Sequence, residues 1–169
     1  LASASSARGL MLQTAGLDFA IVTAGGDEDE VKLSLAAEKA APRDIAETLA
    51  ELKAQRVSRR HPQALVIGAD STLACNGRLF DKPPTMEAAR KQLQALAGQT
   101  HELHSSVVVA KGGVRLWHCN DSARLTMRPL PDAFLDVYLA RAGEAAAQAM
   151  ASARAPLAIL IMEHSLKAV

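Results

Sequence analysis

Aromatic residues are scarce in this chain, at 3% of 169 positions. That scarcity argues against a stacking platform for single-stranded nucleic acid, which needs aromatic faces at intervals. Cysteine is nearly absent as well. Cys75 and Cys119 stand far apart, without a CxxC pair or metal-ligand spacing, so they read as reduced structural thiols of a cytoplasmic protein. No apolar run approaches the length of a membrane span, and the start lacks the charged segment and apolar stretch of a secretory leader. An excess of one charge sign is missing too. The 19 basic and 18 acidic residues leave a formal +1, which offers no bulk electrostatic attraction for nucleic acid or a membrane surface. The chain opens on Leu1 rather than Met, so a few residues of the natural start are expected to precede it.

What is present describes one globular domain. Hydrophobic residues make up 49% and charged residues 22%, and the length suffices to bury a real core. The chain is organised around Ala64 to Pro83. Ala64–Ala69 is an apolar run of a length that suits a buried strand, and Asp70 follows where that run ends. A carboxylate there needs a partner, a hydrogen bond or a metal. Asn76-Gly77 between Leu73–Cys75 and Arg78–Phe80 is a strong hairpin signal, because both central positions of a type I′ turn require φ > 0. The returning strand delivers Asp81-Lys82-Pro83. Asp70 and Lys82 could face one another across a cleft; equally, they could be a turn-capping acid and a surface lysine.

Upstream, Leu1-Ala2 reads as the end of a strand. Ser3 to Arg8 turn into a helix with Leu10, Met11, Leu12 and Ala15 on its apolar face, closed by Gly16. Serine hydroxyls, free backbone N–H groups and Arg8 at a helix start can bind an anion; a plain serine N-cap is the commoner use. Leu17–Thr23 is expected to be a strand and Glu30–Lys39 a helix. Pro42 opens a further helix, with Ile45, Leu49, Leu52, Arg56 and Val57 on its buried edge and Lys53 beside it. Downstream, Thr85 caps a helix with Leu93 and Leu96 inward, stopped by Gly98. Glu102–Ala110 and Val114–Cys119 form a second hairpin around Lys111-Gly112-Gly113, and Ser122–Met127 continues the strand pattern. His101 and His104 fall on opposite sides of a strand, so they are not a metal pair. A last helix runs from Asp132 to Ala140, with Phe134, Leu135, Tyr138 and Leu139 inward. Strands and helices thus alternate, which predicts an α/β protein with a mixed twisted β-sheet and flanking helices.

Four motifs in this order carry a resemblance: Ser3, Ser5 and Arg8 in the opening turn, Lys53 in Leu49-Ala50-Glu51-Leu52-Lys53-Ala54, Asp70 in Gly68-Ala69-Asp70, and Lys82 in Asp81-Lys82-Pro83. Together they resemble the Maf family of nucleotide pyrophosphatases, over residues 1 to 144. The resemblance implies the Maf and inosine-triphosphatase-like fold and hydrolysis of a nucleoside triphosphate, with a non-standard or pyrimidine base, to the monophosphate and pyrophosphate. It implies Asp70 as the catalytic carboxylate, Asp70 and Glu28 as ligands of a divalent cation (Mg²⁺ or Mn²⁺), and Ser3, Ser5, Arg8, Lys53 and Lys82 as phosphate contacts. A homodimer is compatible with it. An alternative within the family is an impaired nucleotide-binding protein that acts through cell-division partners in septum formation.

The chain departs from the family pattern at several points. Ser6-Ala7-Arg8 stands where Pro-Arg-Arg is common, Ser71 follows Asp70 where Thr or Gln is usual, and Ser105-Ser106 replaces a common Thr-Gly. Residues 145–169 lack the family's glycine-containing closing strands. They are expected to be a divergent tail that weakens stability or activity.

Overall fold

The computed structural model describes residues 1–25 and 28–141. The tail from residue 145, with the expectations attached to it, lies outside the described residues. In chain order the elements are α1 (Ser6–Thr14), α2 (Glu28–Ala37), α3 (Pro42–Arg60), β1 (Val66–Cys75), β2 (Arg78–Phe80), α4 (Met86–Leu96), β3 (Thr100–Lys111) and β4 (Val114–Thr126). A last helix, α5, occupies residues 132–141. The strands form one four-stranded sheet in the order β2-β1-β3-β4. β1 and β3 run antiparallel, pairing Val66 with Ala110 through Ala74 with Glu102. A lone parallel bridge joins Ala2 to Gly68, so the expected α/β sheet with flanking helices is antiparallel except at that bridge.

Both hairpins turn where their sequence demands it. Asn76 and Gly77 have φ of 50° and 73°, and Gly112 and Gly113 have φ of 57° and 85°. These left-handed values suit two-residue turns that match the twist of the flanking strands. Helix α3 begins with Pro42 in its first turn and α4 with Thr85, whose hydroxyl accepts from the Ala88 N–H.

The described residues fall into two compact units, one formed by Leu1–Ala74 with Glu102–Ala123, the other by Cys75–His101 with residues 124–141. In the first unit α3 lies on one face of β1. Its contact is a seam of small residues: Ala50 and Ala54 pack with Val108 and Ala110, directly over Gly68. A Cβ at Gly68 would come within 2.4 Å of the Ala50 carbonyl oxygen and 2.6 Å of the Ala54 nitrogen. Close approach of helix and strand therefore requires glycine here. On the same face, Thr72 Oγ1 donates to the Pro42 carbonyl at 2.6 Å. Gly68, Asp70 and Thr72 thus turn toward α3, as the two-residue period of a strand requires.

In the second unit Ala89, Leu93 and Leu96 of α4, Phe80, Met127 and Leu135 are buried. Arg90 of α4 pairs with Asp132 and Asp136 of α5.

Six expectations change. Asp70 does not end a strand: β1 continues through it to Cys75, because β3 pairs with β1 over that whole length. Leu17–Thr23 is not a strand. Its backbone bonds only briefly to another segment, Leu1 N donating to the Ala20 carbonyl at 2.6 Å and the Val22 N–H to the Leu1 carbonyl at 2.9 Å, and the carbonyls of Thr23, Ala24 and Gly25 accept from Arg60 and Arg56 of α3. Helix α2 starts at Glu28 and ends at Ala37. On α3, Ile45, Leu49 and Val57 are buried as expected and are joined by Ala46, Ala50 and Ala54, whereas Leu52 and Arg56 are only partly covered. Similarly, Phe134 is exposed in α5, and Leu10 and Met11 are exposed in α1.

Candidate active site

The center of the first unit is a buried acid. Asp70 is 6% exposed, in the middle of β1. Its Oδ1 lies 2.8 Å from Lys53 Nζ, which reaches it from α3. The same ammonium lies 2.9 Å from Glu28 Oε2, in the first turn of α2. One lysine therefore bridges two carboxylates from two other elements. The backbone explains the meeting. The Ala50 and Ala54 seam brings α3 close to β1 at Gly68, and Lys53 projects from the turn between those alanines toward the next strand residue on that face, Asp70. Removing charges from water is costly, and a buried ion pair seldom repays the cost against a well-packed apolar substitute. Such a cluster is better explained by chemistry than by stability.

A second group forms around Arg8. Ser5 caps α1, its hydroxyl accepting from the Arg8 N–H at 3.4 Å. Ser3 Oγ accepts from the Ser5 N–H at 3.2 Å and from Arg8 Nη1 at 3.3 Å. The guanidinium then reaches β1: Nη1 donates to the Ala69 carbonyl at 2.9 Å, and Nη2 to Ser71 Oγ at 3.3 Å. Arg8 is thus anchored on both chain neighbors of Asp70. Ser71 Oγ also meets Ser105 Oγ of β3 at 3.0 Å, in register with the backbone pairing.

The sequence singled out seven residues. Ser3, Ser5, Arg8, Glu28, Lys53 and Asp70 all lie in the first unit, in these two groups around β1. Lys82 is exposed in the segment after β2, in the second unit. Ser5 makes the helix-capping contact of the plainer reading. Lys53 does not extend to water like a surface lysine; its side chain is 12% exposed and paired to two acids. Two participants were not singled out as site residues: Ser71 and Ser105. The signal available for them was their departure from the commoner residues at these positions. Among the described residues no group of three or more His, Cys, Asp or Glu side chains converges on one point. His104 instead pairs with Glu102, and Cys75 and Cys119 are both free thiols.

Comparison with known proteins shows the family of the chain. The Maf-like protein family profile matches residues 1–166. A nucleoside triphosphate pyrophosphatase of Paramagnetospirillum magneticum is 54% identical over 145 residues, covering 86% of this chain and 75% of the relative. One of the same name from Caulobacter vibrioides is 52% identical, covering 86% and 72%. A 7-methyl-GTP pyrophosphatase of Brucella abortus is 44% identical over 146 residues, covering 86% and 73%. On this match, which spans nearly the whole sequence, the chain belongs to the Maf-like protein family.

Proposed function

We propose that this chain hydrolyses a nucleoside triphosphate to the monophosphate and pyrophosphate. The observation that carries the reading is Lys53 held between Glu28 and a buried, mid-strand Asp70, in a family whose relatives are named for that reaction. Breaking a phosphoric anhydride needs an activated water, positive charge on the phosphate oxygens and a leaving pyrophosphate whose charge is held.

The residues divide this work. Asp70 accepts a proton from the attacking water. The water's oxygen forms a bond to the α-phosphorus, and pyrophosphate leaves with the electrons of the broken α–β anhydride bond. Arg8, oriented by Ser3, Ala69 and Ser71, holds phosphate oxygens with its planar fork. Lys53 adds charge to the same task, and Ser3 and Ser5 supply hydroxyls near it; Lys82 is a proposed phosphate contact on its motif alone.

The donor set also fits a hard divalent cation. Glu28 and Asp70 present oxygen ligands that already converge on one positive charge, and Mg²⁺ is bound by one or two carboxylates together with substrate phosphates and water. When bound, such an ion would neutralise charge on the phosphates and polarise them. Loss of activity in EDTA and its return with Mg²⁺ or Mn²⁺ is the expected behavior; full activity in chelator would contradict it.

Pyrophosphate release from a panel of nucleotides tests the reading. The panel includes 7-methyl-GTP, after the Brucella relative, and the pyrimidine triphosphates. Release from at least one, beside calorimetric binding, is the expected result. Binding without release from any would favor the alternative of an impaired nucleotide-binding protein. The paired Glu28, Lys53 and Asp70 cluster speaks for turnover.

A further inference from the structure

Three buried side-chain atoms among the described residues have no hydrogen-bond partner: His101 Nδ1, Asn120 Oδ1 and Ser106 Oγ. Asn120 is held by its other amide atom, which donates to Glu47, and His101 belongs to the second unit. Ser106 differs from both, because it is in register with the candidate site.

Ser106 is 1% exposed and lies directly across from Asp70 in the β1–β3 pairing. Paired residues of an antiparallel ladder point to the same face, and here the next pair demonstrates it: the Ser71 and Ser105 hydroxyls touch. Ser106 therefore shares Asp70's face, on the side covered by α3. The Gly68–Val108 pair, packed under Ala50 and Ala54, closes one end of this position, and Thr72–His104 follows at the other. Directly opposed residues place their Cβ atoms about 4.5–5.5 Å apart. That spacing, with no direct hydrogen bond to Asp70, suits one oxygen atom held between the two side chains. A buried hydroxyl left unpaired is costly, so its retention beside the reactive carboxylate calls for a ligand.

We propose that Ser106 is a water-positioning residue, its hydroxyl holding the attacking water against Asp70. The inference rests on the hydrolytic reading given above. Ser106 Oγ accepts one hydrogen of the water and Asp70 accepts the other, which leaves a lone pair directed at phosphorus. The water's proton passes to Asp70 as the oxygen–phosphorus bond forms and the α–β anhydride bond breaks. Ser106 forms no covalent bond and takes no proton.

Steady-state kinetics and melting of wild type, Ser106→Ala and Ser106→Gly test the proposal. Both substitutions only remove atoms, so neither can crowd the α3 seam. The expected result is a fall in kcat of about tenfold, the equivalent of one hydrogen bond, with KM changed less than about twofold. The melting temperature of Ser106→Ala should be equal to wild type or higher by about 2–4 °C, because an unpaired hydroxyl has been removed. Unchanged kcat in both variants overturns the assignment. So does a loss of activity that merely follows a lowered melting temperature, which would mark Ser106 as structural. A wild-type chain that releases no pyrophosphate from any nucleotide overturns the hydrolytic reading itself, and this inference with it. That outcome is distinct from an active wild type with indifferent variants.

Discussion

Asp70 and Ser71 are neighbors in one strand, yet they face different chemistry. Asp70 turns toward α3 and meets an ammonium shared with Glu28. Ser71 turns the other way and meets the Arg8 guanidinium and the Ser105 hydroxyl. Side chains of a strand point to opposite faces at successive residues, so β1 can separate the proposed proton-accepting, cation-binding function from the proposed anion-holding one without any extra element. Arg8 connects the two, since it is fixed on the residues before and after Asp70. The difference teaches that position along a strand, and not only residue type, assigns each group its part in the proposed reaction.

The largest effect should come from breaking the charged side of this comparison. Lys53→Met leaves a buried Asp70 without its ammonium. Removing one partner of a buried pair costs about 3 kcal/mol or more, here at the lower end because Glu28 is a third exposed. Urea denaturation should show that loss, and pyrophosphate release should fall with it. Restoring stability by adding Asp70→Asn to Lys53→Met would identify the uncompensated carboxylate as the cause.

Next in size is the seam that sets the α3 face. Gly68→Ala places a methyl against backbone atoms of Ala50 and Ala54, and overpacking of this kind costs about 1–3 kcal/mol. A drop in melting temperature together with weakened turnover is expected, since moving α3 moves Lys53. A variant as stable as wild type would mean that the helix can shift freely.

On the other face, Arg8→Lys keeps the charge but loses the fork that spans Ala69, Ser3 and Ser71. We expect KM for the triphosphate to rise about tenfold, within the range of a charge-assisted hydrogen bond, with kcat affected less. A fall in kcat at constant KM would erase the distinction between the two faces. The smallest effect belongs to Ser71→Ala, which removes one long contact to Arg8 and should raise KM by about two- to threefold.

Much of this arrangement was legible in the sequence. Asn76-Gly77, Pro42, Thr85 and Gly98 mark turns and helix ends because few other residues satisfy those backbone positions. The residues around Asp70 were legible as a set through their motifs. Three things were not. The apolar run stops at Ala69, but Ser71 and Thr72 remain buried in the same strand, since neighboring groups from α1, α3 and β3 satisfy their hydroxyls. Leu17–Thr23 has the composition of a strand, but its backbone bonds to Leu1 at Ala20 and Val22 do not extend into a ladder, a tertiary matter that local pattern does not encode. The α3 seam is made of alanines, whose importance comes from closeness to Gly68 rather than from hydrophobic bulk. Ser106 shows the same limit: its pairing with Asp70 depends on register, which only the folded sheet supplies.

The most direct test of the account is Asp70→Asn, assayed for pyrophosphate release and, in parallel, for nucleotide binding by calorimetry. The substitution keeps size and hydrogen-bonding capacity while removing the charge that a water or a cation requires. The account predicts a loss of turnover of at least about a hundredfold, with nucleotide still bound through the Arg8 face and the fold retained by circular dichroism. Pyrophosphate release close to wild type would contradict the central claim that Asp70 carries the reaction.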